Sequence, residues 1–173
     1  MNLFLKYLKT PLGTMAIVAD ASTIRKSYLP EQTKIHLVNK VKADFSNLSS
    51  KNIPEWLNEL EEYVKSYFKT GKSIPATVEK YFDWNQFSEF QRKVLKNTFK
   101  IPHGKTLHYG DVAHNIKSPK ASRAVGTALA KNPLPLLIPC HRVLPKQNGM
   151  GGFSAFGGNR TKAYLLNLET KKV

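Results

Sequence analysis

Hydrophobic and polar positions predict strands at the beginning of the chain. Short apolar runs at residues 3–7, 15–19 and 24–29 have the length of strands. Between the first two, residues 10–13 read Thr-Pro-Leu-Gly, which is typical of a tight turn. Residues 30–53 favour a helix or irregular structure, and the pattern does not choose between them.

The clearest helical pattern lies at residues 54–69. Its apolar residues recur at helical spacing and form one stripe, which comprises Trp56, Leu60, Tyr63, Val64, Tyr67 and Phe68. Pro54 suits the first helical position, and Gly71 is placed to end the helix. Strands followed by one amphipathic helix predict a small α/β unit without catalytic residues.

A second, helical unit is predicted after a connector at residues 71–86. Ser88 and Gln91 have the spacing of a capping box at the start of a helix. Two short helices follow, one on the apolar face of Tyr109–Ile116 and one that begins with Ser118 as N-cap and ends at Asn132. Helices joined by so tight a turn favour a helix-turn-helix, and an ordinary helical hairpin is the alternative.

The face that this last helix exposes carries one arginine and otherwise small residues: Arg123, Gly126, Thr127 and Ala130. Small side chains let a helix approach DNA closely, but they supply few groups that read bases. The pattern therefore favours binding to DNA shape or backbone, with one arginine inserted. The alternative is a surface arginine without a special role.

The distribution of charge also divides the 173-residue chain into two parts that correspond to the two predicted units. Residues 1–85 carry 12 basic and 9 acidic side chains, whereas residues 86–173 carry 15 and 3. A compact basic half indicates a polyanionic partner, and generally solvated lysines are the alternative. No apolar run has the length of a membrane span, and we expect neither a membrane segment nor a signal peptide.

Cys140 is the only cysteine, within Pro-Cys-His-Arg-Val at residues 139–143. It has no partner for an internal disulfide and fits a reducing compartment. A reactive thiol beside His141 is one interpretation, and a small buried hydrophobe is the other. Because adjacent side chains do not face each other, we expect His141 to act through a water or after a sharp turn.

Carboxylates that could orient this histidine are few. The basic half contains only Glu89, Asp111 and Glu169. A Cys–His–Glu relay through Glu169 is available, although a solvent-facing residue near the C-terminus is the alternative. The glycine-rich residues 149–158 suit one wall of a pocket for a planar group, or a plain loop.

Several of these segments, in this order, resemble the O6-alkylguanine-DNA alkyltransferase family. They are Ser-Arg-Ala-Val-Gly at 122–126, Asn-Pro at 132–133 and Ile-Pro-Cys-His-Arg-Val at 138–143. The resemblance implies an α/β, ribonuclease-H-like structural domain at 1–80 and a mostly helical DNA-binding and alkyl-acceptor domain at 86–173. It also implies DNA repair in which an alkyl group moves once, irreversibly, from O6 of guanine or O4 of thymine to the protein's own cysteine.

The family implies that double-stranded DNA is bound through the minor groove, largely without sequence specificity. It implies that no cofactor is needed, and we expect a monomer. We expect no metal, because the sequence has no cysteine or histidine cluster for the zinc that some relatives carry near the N-terminus. We expect a cytoplasmic protein, or a nuclear one if the source is a eukaryote.

The resemblance also assigns residues. Cys140 is the acceptor, His141 and Glu169 form the relay, and Tyr109 helps to rotate the nucleotide out and protonates the leaving guanine. Asn132 is a hinge, and Arg123 enters the duplex. The remaining DNA contacts would be Lys120, Ser122, Gly126, Thr127 and Ala130. The base pocket would comprise Val143, Phe153, Ser154 and Lys162.

The chain departs from the family pattern at two places, and three other functions are the alternatives to this assignment. The glycine loop is about two residues longer than in the commonest family pattern, and Leu95 stands where many members have tryptophan. The rivals are a damage-binding module without transfer, a helix-turn-helix transcription regulator and a Cys–His hydrolase. The first would leave lesions unchanged, the second would prefer one undamaged sequence, and the third would turn over repeatedly.

Overall fold

The computed structural model describes residues 2–31, 33–147, 149–153 and 157–170. Ser154, which the sequence assigns to the base pocket, lies outside these residues. The chain forms two compact units that divide between Asp83 and Trp84. No helix in the described ranges is long and apolar enough to cross a membrane.

The first unit is built on a mixed four-stranded sheet. Its strands are β1 (Leu3–Thr10), β2 (Gly13–Ala19), β3 (Ile24–Glu31) and β4 (Leu48–Ser49). They lie in the order β3-β2-β1-β4, with β1 and β2 antiparallel, β2 and β3 antiparallel, and β4 parallel to β1. The three predicted strands and the turn at residues 10–13 are confirmed, and β4 was not predicted.

Two helices cover this sheet. Helix α1 (Lys34–Asp44) packs against β2 and β3, and α2 (Glu55–Thr70) packs against β1. All of Met15–Ala19 in β2 is buried, so both faces of the central strand are covered. Within residues 30–53, where the pattern was undecided, the chain ends β3, forms α1 and adds β4.

The predicted helix at residues 54–69 is confirmed, with two corrections. Pro54 is the N-cap and not the first helical residue, while Gly71 ends the helix in the left-handed conformation. Leu57, which the predicted stripe omitted, is fully buried, whereas Trp56 is only partly buried. The Trp56 ring instead stacks on Tyr81 at 4.2 Å, within a short 3₁₀ helix (Ala76–Tyr81) of the connector.

The second unit is mostly helical. It contains α3 (Glu89–Phe99), α4 (Tyr109–Asn115), α5 (Ser122–Ala130) and α6 (Asn159–Thr170). A two-stranded parallel ladder joins β5 (Leu107–His108) to β6 (Val143–Leu144). As predicted, Ser88 caps α3, and its side chain accepts a hydrogen bond from the Gln91 backbone.

Helix α5 begins later than predicted. Lys117 takes the left-handed conformation with φ of 59°, and the backbone N–H of Ser118 donates to Ala113. Ser118 to Ala121 then form a turn, so that Ser122 and neither Ser118 nor Pro119 starts the helix. Val125, Ala128 and Leu129 form its buried face, whereas Ala124 is exposed.

Candidate active site

An asparagine fixes the segment that leads to the cysteine. The Asn132 side chain donates to the Ile138 carbonyl at 2.9 Å and accepts from the Leu134 backbone at 3.0 Å. These two bonds tie both ends of the buried run Leu134–Ile138 to one residue. Leu136 within it has φ of 74°, a strained conformation for leucine, so the surrounding contacts must hold the loop in place.

A sharp turn lies immediately before the cysteine. Pro139 has φ of −79° and ψ of 65°, and the Cys140 N–H donates to the Ile138 carbonyl at 2.8 Å. Cys140, His141 and Arg142 then form one 3₁₀ turn. Cys140 remains partly exposed, whereas His141 retains only 1% exposure. How His141 acts on the thiol, through a water or after a sharp turn, stays a prediction.

Glu169 reaches the same turn from α6. Its side chain is 1% exposed, and Oε1 lies 2.7 Å from Nε2 of His141. Arg142 donates from Nε to Oε2 at 2.8 Å and from Nη2 to Oε1 at 3.0 Å, and the Gly104 N–H adds a longer contact of 3.3 Å. The alternative that Glu169 faces solvent is wrong.

Burial sets the protonation states of these side chains. Burial raises the pKa of the Cys140 thiol, although a hydrogen bond from Asn132 and the positive charge of Lys162 oppose this. Burial likewise lowers the pKa of His141, despite its bond to Glu169. It would raise the pKa of Glu169, but hydrogen bonds and charge from His141 and Arg142 hold that pKa well below its usual range. At neutral pH the set is therefore a thiol, a neutral imidazole and a carboxylate.

This arrangement also selects the histidine tautomer. An ionised carboxylate can only accept hydrogen bonds, so the proton that His141 shares with Glu169 lies on Nε2. The unshared electron pair of the neutral ring is then on Nδ1. That atom is buried without a hydrogen-bond partner among the described residues. His141 is thus oriented as a proton acceptor.

The cysteine lies in the wall of a cavity of about 450 Å³, here called the thiol cavity. It is lined by Tyr109, Gly126, Leu129, Ala130, Cys140, Gly152 and Phe153. A volume of this size accommodates a small planar molecule. Phe153 and the backbone of Gly152 supply one wall, as the sequence predicted for this loop.

Tyr109, the first residue of α4, lines the cavity beside the glycine loop. Burial, followed by the nearby Cys140, raises its pKa, so that the phenol keeps its proton. Gly126 of α5 lies beside this ring, and a Cβ there would be in ordinary van der Waals contact, 3.8 Å from Cε1 of Tyr109. Gly151 has φ of 67°, and a Cβ there would lie 3.1 Å from the tyrosine oxygen.

The predicted DNA contacts lie on and before α5. Lys120, Arg123, Thr127 and Ala130 are exposed, while Ser122 and Gly126 are partly buried. Gly126 and Ala130 also line the thiol cavity, so this face of the helix and the cavity adjoin. Asp111 is not part of the cavity lining, and its carboxylate accepts from the His108 backbone at the start of α4.

Lys162 and Val143 lie behind the cavity and not in its wall. Val143 is fully buried, and Lys162 is 1% exposed. The Lys162 ammonium donates to the carbonyls of Val143 at 2.8 Å and Met150 at 2.7 Å. Burial lowers the pKa of this lysine. Its contacts join the glycine loop to the strand that follows the cysteine turn.

Sequence reasoning assigned no role to Arg142, which organises the relay. Besides the two bonds to Glu169, its Nη1 donates to the Ile101 carbonyl at 2.7 Å. The arginine in Pro-Cys-His-Arg was the available signal, but its partners lie far away along the chain. The described residues contain no group of three or more His, Cys, Asp or Glu that could hold a metal ion.

Several known proteins are similar to this chain in sequence. A family model described as "6-O-methylguanine DNA methyltransferase, DNA binding domain" matches residues 89–171. The constitutive methylated-DNA–protein-cysteine methyltransferase of Bacillus subtilis is 33% identical over 163 residues, covering 93% of this chain and 92% of that protein. A probable methylated-DNA–protein-cysteine methyltransferase of Acanthamoeba polyphaga mimivirus is 46% identical over 167 residues, covering 96% and 97%.

Solved structures share the fold over nearly the whole length. The Mycobacterium tuberculosis O6-methylguanine methyltransferase superposes with a TM-score of 0.78 at 25% identity, over 99% of this chain and 94% of that one. The M. tuberculosis OGT in complex with DNA gives a TM-score of 0.77 at 26% identity, over 96% and 92%. The predicted combination of an α/β sheet with helices is thereby confirmed.

Fold, site and relatives define a DNA-binding repair enzyme that transfers an alkyl group. The chain belongs to the methylated-DNA–protein-cysteine methyltransferase family. The resemblance drawn from the sequence is confirmed at this level.

Proposed function

We infer that Cys140 itself accepts the alkyl group, from O6 of guanine or O4 of thymine in duplex DNA, and that each molecule acts once. The observation that carries this inference is the relay beside the thiol. The only cysteine of the chain lines a cavity of base size, next to a neutral histidine whose free nitrogen can take a proton. A damage-binding module would need neither group.

The chemistry follows from the protonation states. Nδ1 of His141 takes the thiol proton through a bridging water, while Glu169 stabilises the imidazolium that forms. The thiolate attacks the alkyl carbon, an S–C bond forms, and the C–O6 bond breaks with its electron pair going to the base. Tyr109 gives its proton to the departing guanine, and the thioether that remains on Cys140 is stable, so the protein is spent.

The α4–α5 pair acts as a helix-turn-helix in this proposal. A base in the stack hides its O6, so the nucleotide must rotate into the thiol cavity. Arg123, exposed near the start of α5, fills the space that the nucleotide leaves. The small residues Gly126, Thr127 and Ala130 let the helix approach the minor groove without reading sequence.

The remaining roles of domains and residues in this proposal also follow from the family resemblance. Residues 1–80 serve as a ribonuclease-H-like structural domain, and residues 86–173 carry DNA binding and transfer in a protein that acts as a monomer. The double hydrogen bond of Asn132 supports its role as a hinge between α5 and the thiol segment. Phe153 and the buried Lys162 support the pocket, Phe153 as its wall and Lys162 by holding the loop.

Intact mass after incubation with a duplex carrying one O6-methylguanine tests the proposal. We expect a gain of one methylene unit, located on Cys140 and limited to one per protein. Cys140→Ala should gain no mass while still binding the lesion. Methyl transfer by Cys140→Ala would show that the acceptor is wrong. Lesion binding by the unaltered protein without any mass change would indicate a damage-binding module instead.

Arg123→Ala tests the rotation step. We expect it to slow methyl transfer from a duplex much more than from a single strand, since a single strand needs little extrusion. Lys72→Ala removes an exposed cation from the other unit and serves as the control. Equal loss on both substrates would contradict the role of Arg123.

A further inference from the structure

A second concave surface of the helical unit, here called the lysine groove, lies between α3 and the end of α4. It has a volume of about 570 Å³. Lys93, Lys96 and Lys100 line it from α3 and its C-cap, and Lys117 lines it from the turn after α4. The Asn115 side chain donates to that of Asn97 at 3.5 Å and links the two sides. None of these residues belongs to the thiol cavity.

The groove presents an excess of positive charge. No acidic side chain is among its lining residues. Lys93 pairs with Glu89 across one turn of α3, and Lys96 lies 5.2 Å over the Trp84 ring. Lys100 and Lys117 make no ion pair among the described residues, and all four lysines are exposed.

Some exposed lysines of the other unit are paired with carboxylates. On α2, for example, Lys65 lies 3.0 Å from Glu61 and 2.9 Å from Glu62. Four ammonium groups around one groove repel each other and therefore weaken the fold slightly. A row of phosphates removes this repulsion and releases counterions. The asparagine side chains offer neutral hydrogen bonds to the same oxygen atoms.

The groove is continuous along the chain with the surface that carries Arg123. Ser118 lines the groove, and the turn from Ser118 to Ala121 leads directly into α5. Arg123 follows Ser118 by five positions along the chain, so the two Cα atoms are at most about 18 Å apart. At about 3.4 Å per base pair, the groove begins within about five base pairs of the inserted arginine.

We propose that the lysine groove binds the phosphate backbone of the duplex on one side of the lesion. This site rests on the proposed function, because the arginine and the rotated nucleotide fix where the duplex lies. The lysine groove thus lengthens the stretch of DNA that the protein contacts, on one side of the lesion only. An acidic protein as occupant would instead leave DNA binding unchanged when the lysines are replaced.

The test uses two duplexes with one O6-methylguanine, each extended by about ten base pairs on a single side of the lesion, which is twice the estimated reach. Fluorescence anisotropy over a series of salt concentrations gives the affinity and its salt dependence. We expect tighter binding of one duplex than of the other. K96Q/K100Q/K117Q should remove this preference and reduce the salt slope on the preferred duplex by about 2.7, or about 0.9 for each lost contact.

K42Q/K51Q/K72Q is the matched control, because it removes the same charge from exposed lysines of the other unit. It should keep the preference and the slope. K96R/K100R/K117R keeps the charge of the groove and should behave as the unaltered protein. Single Lys→Gln variants should each reduce the slope by about 0.9. Equal slopes for the groove variant and its matched control would overturn the proposal.

Methyl transfer from a short single strand separates this proposal from the one on which it rests. The unaltered protein must gain one methylene unit on that substrate if the function is correct. No transfer by the unaltered protein would refute the function. Transfer together with equal binding of the two extended duplexes would refute the groove alone.

Discussion

Burial acts on the side chains around Cys140 in opposite directions. It keeps the proton on the thiol and removes it from His141. Of Cys140, His141 and Glu169, only Glu169 is charged at rest, because His141 and two nitrogens of the Arg142 guanidinium hold its carboxylate. Transfer of the proton from the Cys140 sulfur to Nδ1 of His141 creates a thiolate and an imidazolium. We therefore expect this transfer only in the transition state, where the two charges are stabilised.

The pH dependence of methyl transfer should show this directly. Burial lowers the pKa of His141 below its ordinary value of 6.5. Nδ1 therefore stays unprotonated as the pH falls from about 7.5 to 6.5. We expect the single-turnover rate on a short single strand to stay level from about pH 7.5 to 6.5 and to fall only at lower pH. A midpoint at or above the ordinary imidazole pKa would contradict this role.

Replacement of Glu169 should cost stability. Glu169→Gln removes the charge opposite Arg142, and breaking a buried pair costs about 3 kcal/mol in the free energy of unfolding. Because the folded pKa of Glu169 is lowered, this stabilisation is complete above the unfolded pKa and is lost as pH falls through the folded one. Urea unfolding should therefore show a difference at pH 7 that shrinks below about pH 4.

Glu89→Gln is the control for that measurement. Its side chain is 73% exposed and, among the described residues, forms an ion pair with Lys93 on the surface of α3. We expect a much smaller change than for Glu169→Gln, as for other exposed pairs. Similar losses for the two variants would mean that the buried network contributes no more than a surface pair.

At the scale of elements, the glycine loop and α4 determine the shape of the thiol cavity. Gly151 is left-handed and approaches the Tyr109 oxygen, whereas Gly152 lines the cavity with open space where a Cβ would be. Lys162 fixes the same loop from behind through the Met150 carbonyl. The position of Tyr109 thus depends on a backbone conformation that only glycine adopts easily.

A pair of alanine variants separates these two glycines. Gly151→Ala should destabilise the protein by about 1 kcal/mol or more and should slow methyl transfer, because its Cβ is strained and displaces Tyr109. Gly152→Ala has space and should leave the melting temperature unchanged. Melting temperatures and single-turnover rates measure both. Equal effects would show that the close approach to Tyr109 does not matter.

The elements also show what sequence patterns can and cannot predict. The pattern found α2 and the Ser88 cap, because both depend on residues a few positions apart. It misplaced the start of α5, because Lys117 adopts a left-handed conformation that no neighbouring residue type requires. It left Glu169 ambiguous, because the partners that bury it, His141 and Arg142, lie on a different segment.

At the scale of the whole molecule, charge is distributed by unit. The near-neutral half contains the mixed sheet, and the basic half contains the thiol cavity and α5. Such a field attracts any duplex and does not depend on sequence. Apart from Arg123, the exposed face of α5 lacks the side chains that would add base readout.

Binding to undamaged DNA should follow from this distribution. We expect undamaged duplexes of different sequence to bind with affinities that agree within a few-fold and fall steeply with salt. Anisotropy with several duplexes at two salt concentrations measures this. Selection of one fixed motif from a random pool would favour a transcription regulator instead.

The raised pKa of Cys140 has a further consequence for a protein that is spent after one reaction. Oxidants and small electrophiles consume thiolates far faster than thiols, so an exposed thiolate would be lost during storage in the cell. Cys140 keeps its proton at rest, and Nδ1 of the neighbouring His141 is buried. Iodoacetamide should therefore inactivate the free protein slowly. The burial that makes the resting thiol a poor nucleophile thereby protects each molecule from chemical inactivation before it meets a lesion.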